Sequence, residues 1–278
     1  MKLLSLRELQ MLQLNLMKKV DDFCSRHGIE YYLIGGSCLG AVRHNGFIPW
    51  DDDIDIAMLR EHYDKFVTLF QKEFSEQKYF LQNYDTDKEF SPALSRICIR
   101  GTLVDIKSER HLRTCKNAYI DIFPLDHVPD TIEEREKHRK KLYAIDRLIG
   151  LKQYHLYRFT KLEITLKKTV SWLLSLMPLK YLQRLRVATM TKYKDISTEN
   201  VCSTVSKYGY IKQIMKKSIY GKPVRMLFEG AYLNVPEKTD MYLTLLFGSD
   251  YMELPPESKR VEPQTSYMEE GVTFESLL

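Results

Sequence analysis

Apolar positions along the first thirty residues recur at helical spacing. Leu3, Leu6, Leu9, Met11, Leu14, Leu16, Met17, Val20 and Phe23 carry this pattern, and Gly28 stands where such a helix would stop, which predicts a helix over about residues 5–27. Tyr31-Tyr32-Leu33-Ile34 is a short apolar run ending in Gly35-Gly36, the pattern of a buried strand entering a tight turn. Ser37 is placed as N-cap of a short helix to about Arg43. Asn45-Gly46 and Pro49 break the chain again before Asp53-Ile54-Asp55-Ile56-Ala57-Met58, a strict acid–aliphatic alternation that predicts a strand.

Leu59 to Phe74 reads as a helix with Tyr63, Phe66, Val67 and Phe70 on one face. Residues 78–82, 93–105 and 118–123 read as further strands. From Thr131 to about Thr191 the pattern is helical, rich in leucine and charge, with an interruption near Pro178. After Ser197 mixed apolar and turn signals return, and the last dozen residues read as weakly structured. The organisation expected is a strand-rich region over 1–130, a helical basic segment over 131–196 and a C-terminal region over 197–278, without an internal repeat.

Composition narrows the class. At 278 residues with 44% hydrophobic content, 18 Tyr and 12 Phe, the chain can fill a sizeable core, which excludes disorder for most of its length. The five cysteines are scattered without a Cys-x-x-Cys pair, and they are expected to be reduced thiols in cytoplasm. The first twenty residues carry Arg7, Glu8, Lys18 and Lys19 and lack the signal-peptide pattern. The longest nearly apolar stretch, Val170 to Leu179, is half of what a membrane-spanning helix needs.

Charge is unevenly spread. The chain carries +5 overall, yet residues 151–194 hold ten lysines and arginines against Glu163 alone, leaving the remainder mildly acidic. Either this is a solvated helix face, or it meets an anionic partner such as lipid headgroups. In the second case Trp172, Leu173, Leu174, Leu176 and Met177 would enter a membrane interface beside Lys167, Lys168 and Lys180. A nucleic-acid partner is the weaker alternative, because no nucleic-acid module is recognisable.

The candidate chemistry lies in the first region. Side chains two apart on a strand share a face, so Asp53 and Asp55 point together while Ile54 and Ile56 enter the core. Two adjacent carboxylates repel, and a hard divalent cation, most simply Mg2+, is their natural neutraliser. Asp121, between Ile120 and Ile122, joins them if its strand lies alongside. The Gly35-Gly36-Ser37 turn offers backbone N–H groups and a hydroxyl to an anion at a helix N-terminus. An exposed edge strand with polar residues on its wet face is the bland alternative. A calcium loop starting at Asp51 fails, with Ile56 where Gly is required and His62 where Glu is required, and neither a P-loop nor a dinucleotide fingerprint is present. Cys38 and His44 are assigned packing and polar roles.

The run from Gly35 to Met58, GGSCLGAVRHNGFIPWDDDIDIAM, resembles the signature of the LicD family of phosphotransferases, relatives of the fukutin proteins. Tyr119-Ile120-Asp121-Ile122-Phe123-Pro124-Leu125-Asp126 is similar to that family's second acidic strand. Phe228-Glu229-Gly230, Val235-Pro236, Tyr242-Leu243, Phe247-Gly248 and Leu254-Pro255-Pro256 resemble its C-terminal elements. Ser37-Cys38 stands where the family commonly has Thr-Leu, Phe247-Gly248 where Tyr-Gly is usual, and the basic stretch matches least.

The resemblance implies an α+β fold with a nucleotidyltransferase-like mixed sheet flanked by helices, a helical insertion and a smaller C-terminal region. It implies transfer of phosphocholine, or a related phospho-substituent, from a CDP-linked donor such as CDP-choline to a sugar of a cell-surface glycan of lipopolysaccharide or teichoic acid type, releasing CMP. Under this reading Asp53 and Asp55 hold Mg2+, and Asp121 is a third ligand or the general base. Gly35, Gly36, Ser37, Arg43 and Arg96 contact phosphates or the departing CMP, and Trp50 stacks on a base, joins a cage for a quaternary ammonium or anchors the core. The acceptor would be a glycan, lipid-linked in the membrane-docking reading, reached from the cytoplasmic face. Nucleotidyl transfer with pyrophosphate release is the enzymatic alternative.

Overall fold

A computed structural model describes residues 1–74, 78–153 and 177–278. Helix α1 (Leu6–His27) begins at Ser5, whose hydroxyl accepts from the Glu8 N–H while Glu8 reaches back to the Ser5 N–H, a reciprocal cap. It ends at Gly28, whose left-handed φ of 60° lets the chain turn off the helix without a Cβ penalty. Its buried stripe of Leu9, Leu12, Leu16, Val20 and Phe23 packs into the main core, and Gln10 and Gln13 are buried in the same helix.

The central element is a seven-stranded mixed sheet. Strands β2 (Tyr32–Leu33), β3 (Asp55–Leu59), β7 (Ala118–Val128), β5 (Ser95–Ile99) and β4 (Tyr79–Gln82) lie side by side in that order, and β8 (Asn200–Cys202) and β9 (Met215–Lys216) extend from the far part of β7. Among the described residues β3 and β7 run parallel, and the other pairs of this sheet are antiparallel. Helices α2 (Gly35–His44) and α3 (Arg60–Phe74) bracket β3 in the chain. The fold is therefore α+β, as the resemblance implied. Because β3 lies between β2 and β7, the edge-strand alternative for its acids does not apply.

A second, three-stranded sheet places β12 (Ser266–Met268) between β1 (Lys2–Leu4) and β6 (Thr102–Val104), so the two ends of the chain are hydrogen-bonded to each other. Strands β10 (Val224–Phe228) and β11 (Ala231–Val235) form a hairpin. Helices α4 (Ile132–Gln153) and α5 (Leu179–Met190) pack together through Ile145, Ile149 and Leu182. Short helix α6 (Lys217–Tyr220), helix α7 (Thr239–Phe247) and a final turn α8 (Phe274–Leu277) complete the chain.

Several expectations are corrected. The stretch read as one strand over 93–105 is two, β5 and β6, because Gly101 at φ 84° reverses the chain between them. The strand predicted from Asp53 begins at Asp55, and the one predicted over 118–123 continues to Val128 because β8 supplies a new partner. Helix α2 starts two residues before Ser37, with Ile34 as its N-cap. The last dozen residues are structured, since β12 is paired on both sides and Thr273 caps α8.

Within the basic stretch, Arg186 is buried rather than solvated: it donates to Asp146 Oδ1 at 3.0 Å and to the Ser91 carbonyl. Lys180 pairs with Asp85 at 2.8 Å. Lys167, Lys168, Trp172, Leu173, Leu174 and Leu176, expected to face a membrane, lie outside the described residues. Among the described residues no helix is long and apolar enough to cross a membrane.

Candidate active site

The parallel register of β3 and β7 sets Asp55 directly beside Asp121, and the Asp121 N–H donates to the Ile54 carbonyl at 3.0 Å. Sequence periodicity gave each aspartate a face; the crossover from β3 to β7 made them neighbours. Ile54 and Ile56 are fully buried, as the alternation required.

Asp51, Asp52 and Asp53 precede β3 as a loop rather than a strand, and one carboxylate oxygen from each lies within 4.8 Å of the others. This loop is fixed from beneath by two buried glutamines of α1. Gln10 donates to the Asp51 carbonyl at 2.9 Å, and Gln13 donates to the carbonyls of Asp52 at 2.8 Å and Tyr119 at 3.0 Å. Gln13 therefore ties the acid loop to β7. The C-terminal segment closes from the other side, where the Gln264 N–H donates to Asp52 Oδ2 at 2.6 Å.

Packing these acids together changes their acidity. Burial, and then the charges of Asp51 and Asp52, push the Asp53 carboxyl up to about 8, while burial and Asp52 push Asp51 up to about 6. Asp55 is displaced well upward by burial and by Asp53 and Asp121. Burial also raises Asp121, although the Arg96 guanidinium works against it. Full ionisation of this cluster therefore calls for positive charge from elsewhere.

The Gly35-Gly36-Ser37 turn opens α2 beside the acids. Gly35 sits at φ 53° and its N–H donates to the Tyr242 hydroxyl at 2.9 Å. A Cβ on Gly36 would lie 2.5 Å from Asp51 Oδ2, so only glycine lets the helix start approach that carboxylate. Ser37 is not the cap: its Oγ accepts from the Asp55 N–H at 2.9 Å and clasps α2 to β3. The N–H groups of Gly36 and Ser37 have no partner among the described residues, which leaves two donors for an anion.

The two predicted arginines differ in placement. Arg96 Nε donates to Asp121 Oδ1 at 2.9 Å, its Nη1 reaches Glu109 at 3.1 Å, and its guanidinium lies 4.2 Å from the Tyr119 ring centroid. Arg43 instead donates to the carbonyls of Tyr251 and Glu253, both at 2.9 Å, so its guanidinium ties α2 to the C-terminal segment. Trp50 is half-buried against the core, with the Arg260 guanidinium 4.3 Å over its ring.

Sequence reasoning gave no site role to Gln10, Gln13, Tyr242, Lys207 and Tyr208, although Tyr242 lay in a stretch that resembles the family. The two glutamines had a readable signal, being polar residues in the buried part of an amphipathic helix. Lys207 and Tyr208 had none, because the loop between β8 and β9 is brought to the acids only through the pairing of β8 with β7. Lys207 is the cation that acts electrostatically on Asp51, Asp53, Asp55 and Asp121 together.

A family model described as LicD/FKTN/FKRP, nucleotidyltransferase domain, matches residues 28–156, a span that contains the helix start, the acid loop and Asp121. Over 264 residues the chain is 32% identical to the lipopolysaccharide cholinephosphotransferase LicD of Haemophilus influenzae, covering 92% of this chain and 95% of that protein. A shorter stretch of 34 residues is 53% identical to the ribitol 5-phosphate transferase FKRP of Homo sapiens, covering 12% of this chain and 7% of FKRP.

Proposed function

The chain belongs to the LicD/FKTN/FKRP family, and from that membership we propose that it transfers phosphocholine, or a related phospho-substituent, from a CDP-linked donor to a sugar of a cell-surface glycan, with release of CMP. The observation that carries this reading is the similarity to a cholinephosphotransferase along nearly the full length of both chains. The short match to a ribitol 5-phosphate transferase keeps other phospho-substituents in the panel.

The donor set fits Mg2+. Asp51, Asp52 and Asp53 place carboxylate oxygens within 4.8 Å of one another, and the charges of Asp53 and Asp121 act on Asp55, so the site offers hard oxygen ligands whose weakened acidities reflect uncompensated negative charge. Asp53 and Asp55 are the proposed ligands, with Asp121 contributing its second oxygen. A bound Mg2+ supplies charge neutralisation at a breaking phosphoanhydride. The chain's own groups do the rest. The free N–H groups of Gly36 and Ser37 hold phosphate oxygens. Arg96 on Asp121 Oδ1 opposes proton uptake there, which favours the ligand role for Asp121 over the general-base role. Trp50, covered on one face by Arg260, offers its remaining surface to the nucleotide or head group.

The acceptor is a glycan presented at the cytoplasmic face of a membrane in this proposal, with the basic residues of 151–194 other than the buried Arg186 and the Asp85-paired Lys180 as the contact to anionic lipid. Co-sedimentation with anionic vesicles at low salt tests that contact, and failure to pellet removes it.

The decisive experiment is a binding and turnover panel with Mg2+ present or chelated, using CDP-choline, CDP-ethanolamine, CDP-ribitol, CMP, CTP and ATP. Mg2+-dependent binding of one CDP compound with CMP release supports the proposal. Preference for CTP or ATP with pyrophosphate release replaces it with nucleotidyl transfer. Asp55→Asn is expected to abolish turnover with the fold intact, and full activity in that variant removes the metal assignment.

A further inference from the structure

The loop between β8 and β9 is held in a defined shape, with Gln213 Nε2 donating to Ser206 Oγ at 2.8 Å and the Gln213 N–H donating to the Gly209 carbonyl at 3.3 Å. It presents Tyr208 to the site. The Tyr208 ring stands perpendicular to Phe247 with centroids 5.7 Å apart, and its edge lies 4.0 Å from the point a Cβ on Gly35 would occupy. Asp55 Oδ2 lies 3.7 Å from that same point, so Tyr208 and the Asp55 carboxylate flank the start of α2 together.

Two ammonium groups attend this ring. Lys207 Nζ is 5.7 Å and Lys212 Nζ 5.8 Å from the Tyr208 centroid. Lys207 is exposed and, among the described residues, comes within 4.0 Å of no carboxylate, although it is the cation shared by the surroundings of four of them. A lysine serving only as counter-ion to those acids would close onto one of them. One that stops short, on a fixed loop, keeps its three donors for a ligand lying between it and the carboxylates. The charge also selects the ligand. Two ammonium groups over one ring repel a quaternary ammonium and attract a phosphate, so the Tyr208 side of the site suits the anionic part of a donor rather than a choline head group.

We infer that Lys207 is a substrate-binding residue that contacts the diphosphate of a nucleoside-diphosphate-linked donor, opposite the acid cluster and beside the free N–H groups of α2. The inference rests on the CDP-dependent reading and assigns its donor site to a loop of the C-terminal region.

Calorimetric titration of CMP and CDP-choline with Mg2+, together with steady-state kinetics, tests it on the full chain. The variants are Lys207→Ala, Lys207→Arg and, as a charge control, Lys216→Ala, an exposed lysine paired with Glu199 at 3.3 Å. Lys207→Ala is expected to weaken both ligands about tenfold or more and to raise the donor KM with the acceptor KM unchanged. Lys207→Arg is expected to recover most of the loss, and Lys216→Ala to match the wild type. If the wild type binds these ligands and Lys207→Ala binds them equally well, the Lys207 assignment is overturned while the donor reading stands. If the wild type binds neither ligand nor any other CDP compound, the donor reading falls and takes the assignment with it.

Discussion

Arg96 and Asp121 face each other across the antiparallel β5–β7 pair, and Arg96 Nε donates to Asp121 Oδ1 at 2.9 Å while the same guanidinium reaches Glu109 and lies over the Tyr119 ring. Both side chains are largely buried, at 9% and 13% exposure. Removing one partner of such a pair strands the other charge, at a cost of about 3–5 kcal/mol. Arg96→Met is therefore expected to destabilise the fold by that order in urea titrations. Adding Asp121→Asn should recover much of the loss, since it removes the stranded carboxylate. Additive losses in the double variant would show that the two residues do not act as a pair.

The acid cluster predicts an unusual pH profile for the metal-free chain. Asp51 and Asp53 sit at about 6 and about 8, against an ordinary value of 3.8. A carboxyl whose value is raised by folding contributes stability fully below the unfolded value and loses it as pH climbs through the folded one. Between pH of about 4 and 8 these two groups therefore make the chelated protein less stable as pH rises. Asp53→Asn removes the larger of these two contributions, so its melting temperature in EDTA should exceed the wild-type value near pH 8.5 and approach it near pH 5. At this size each kcal/mol is worth about 2 to 4 °C. Parallel melting profiles for the two proteins would contradict the burial argument.

Gly36 is tested by a single methyl group. Its Cβ would fall 2.5 Å from Asp51 Oδ2, against a loop that Gln10 holds in place. Gly36→Ala is expected to cost about 1–3 kcal/mol in stability, the usual range for overpacking. Donor binding should fall by a larger factor than Gly28→Ala produces, since a Cβ on Gly28 meets nothing within 4 Å and lies away from the acids. Equal donor affinity in the two variants would show that the approach of α2 to Asp51 is not required for binding.

Among the five free thiols, Cys115 stands apart. The neighbouring Cys98 thiol is the main influence that lowers the half-buried Cys115 to about 7, whereas burial raises Cys24, Cys38, Cys98 and Cys202. Iodoacetamide at mildly alkaline pH should label Cys115 first, and native Cys115→Ser should be nearly inert on the same timescale. Peptide mapping that finds Cys24 or Cys202 labelled first would reverse that order.

Local features were legible in the order of the residues. The capped helix over 6–27, the short strand before Gly35, the alternation around Asp55 and the second acidic strand all follow from periodicity and turn chemistry, which depend on neighbours a few residues apart. The acid run was legible for the same reason, whereas the α+β class came from the family resemblance. Tertiary structure decided which acids meet. The parallel pairing of β3 with β7 joins residues 66 positions apart at Asp55 and Asp121, and no local pattern encodes that register. It also decided the partners of the arginines: alike in sequence as candidate phosphate ligands, Arg96 is bonded to Asp121 and Arg43 to backbone carbonyls. Lys207 enters the site only because β8 pairs with the far part of β7 and carries the following loop back to the acids. Side chains that act together across such distances are placed by sheet pairing and burial, which belong to the whole chain and not to any window of it.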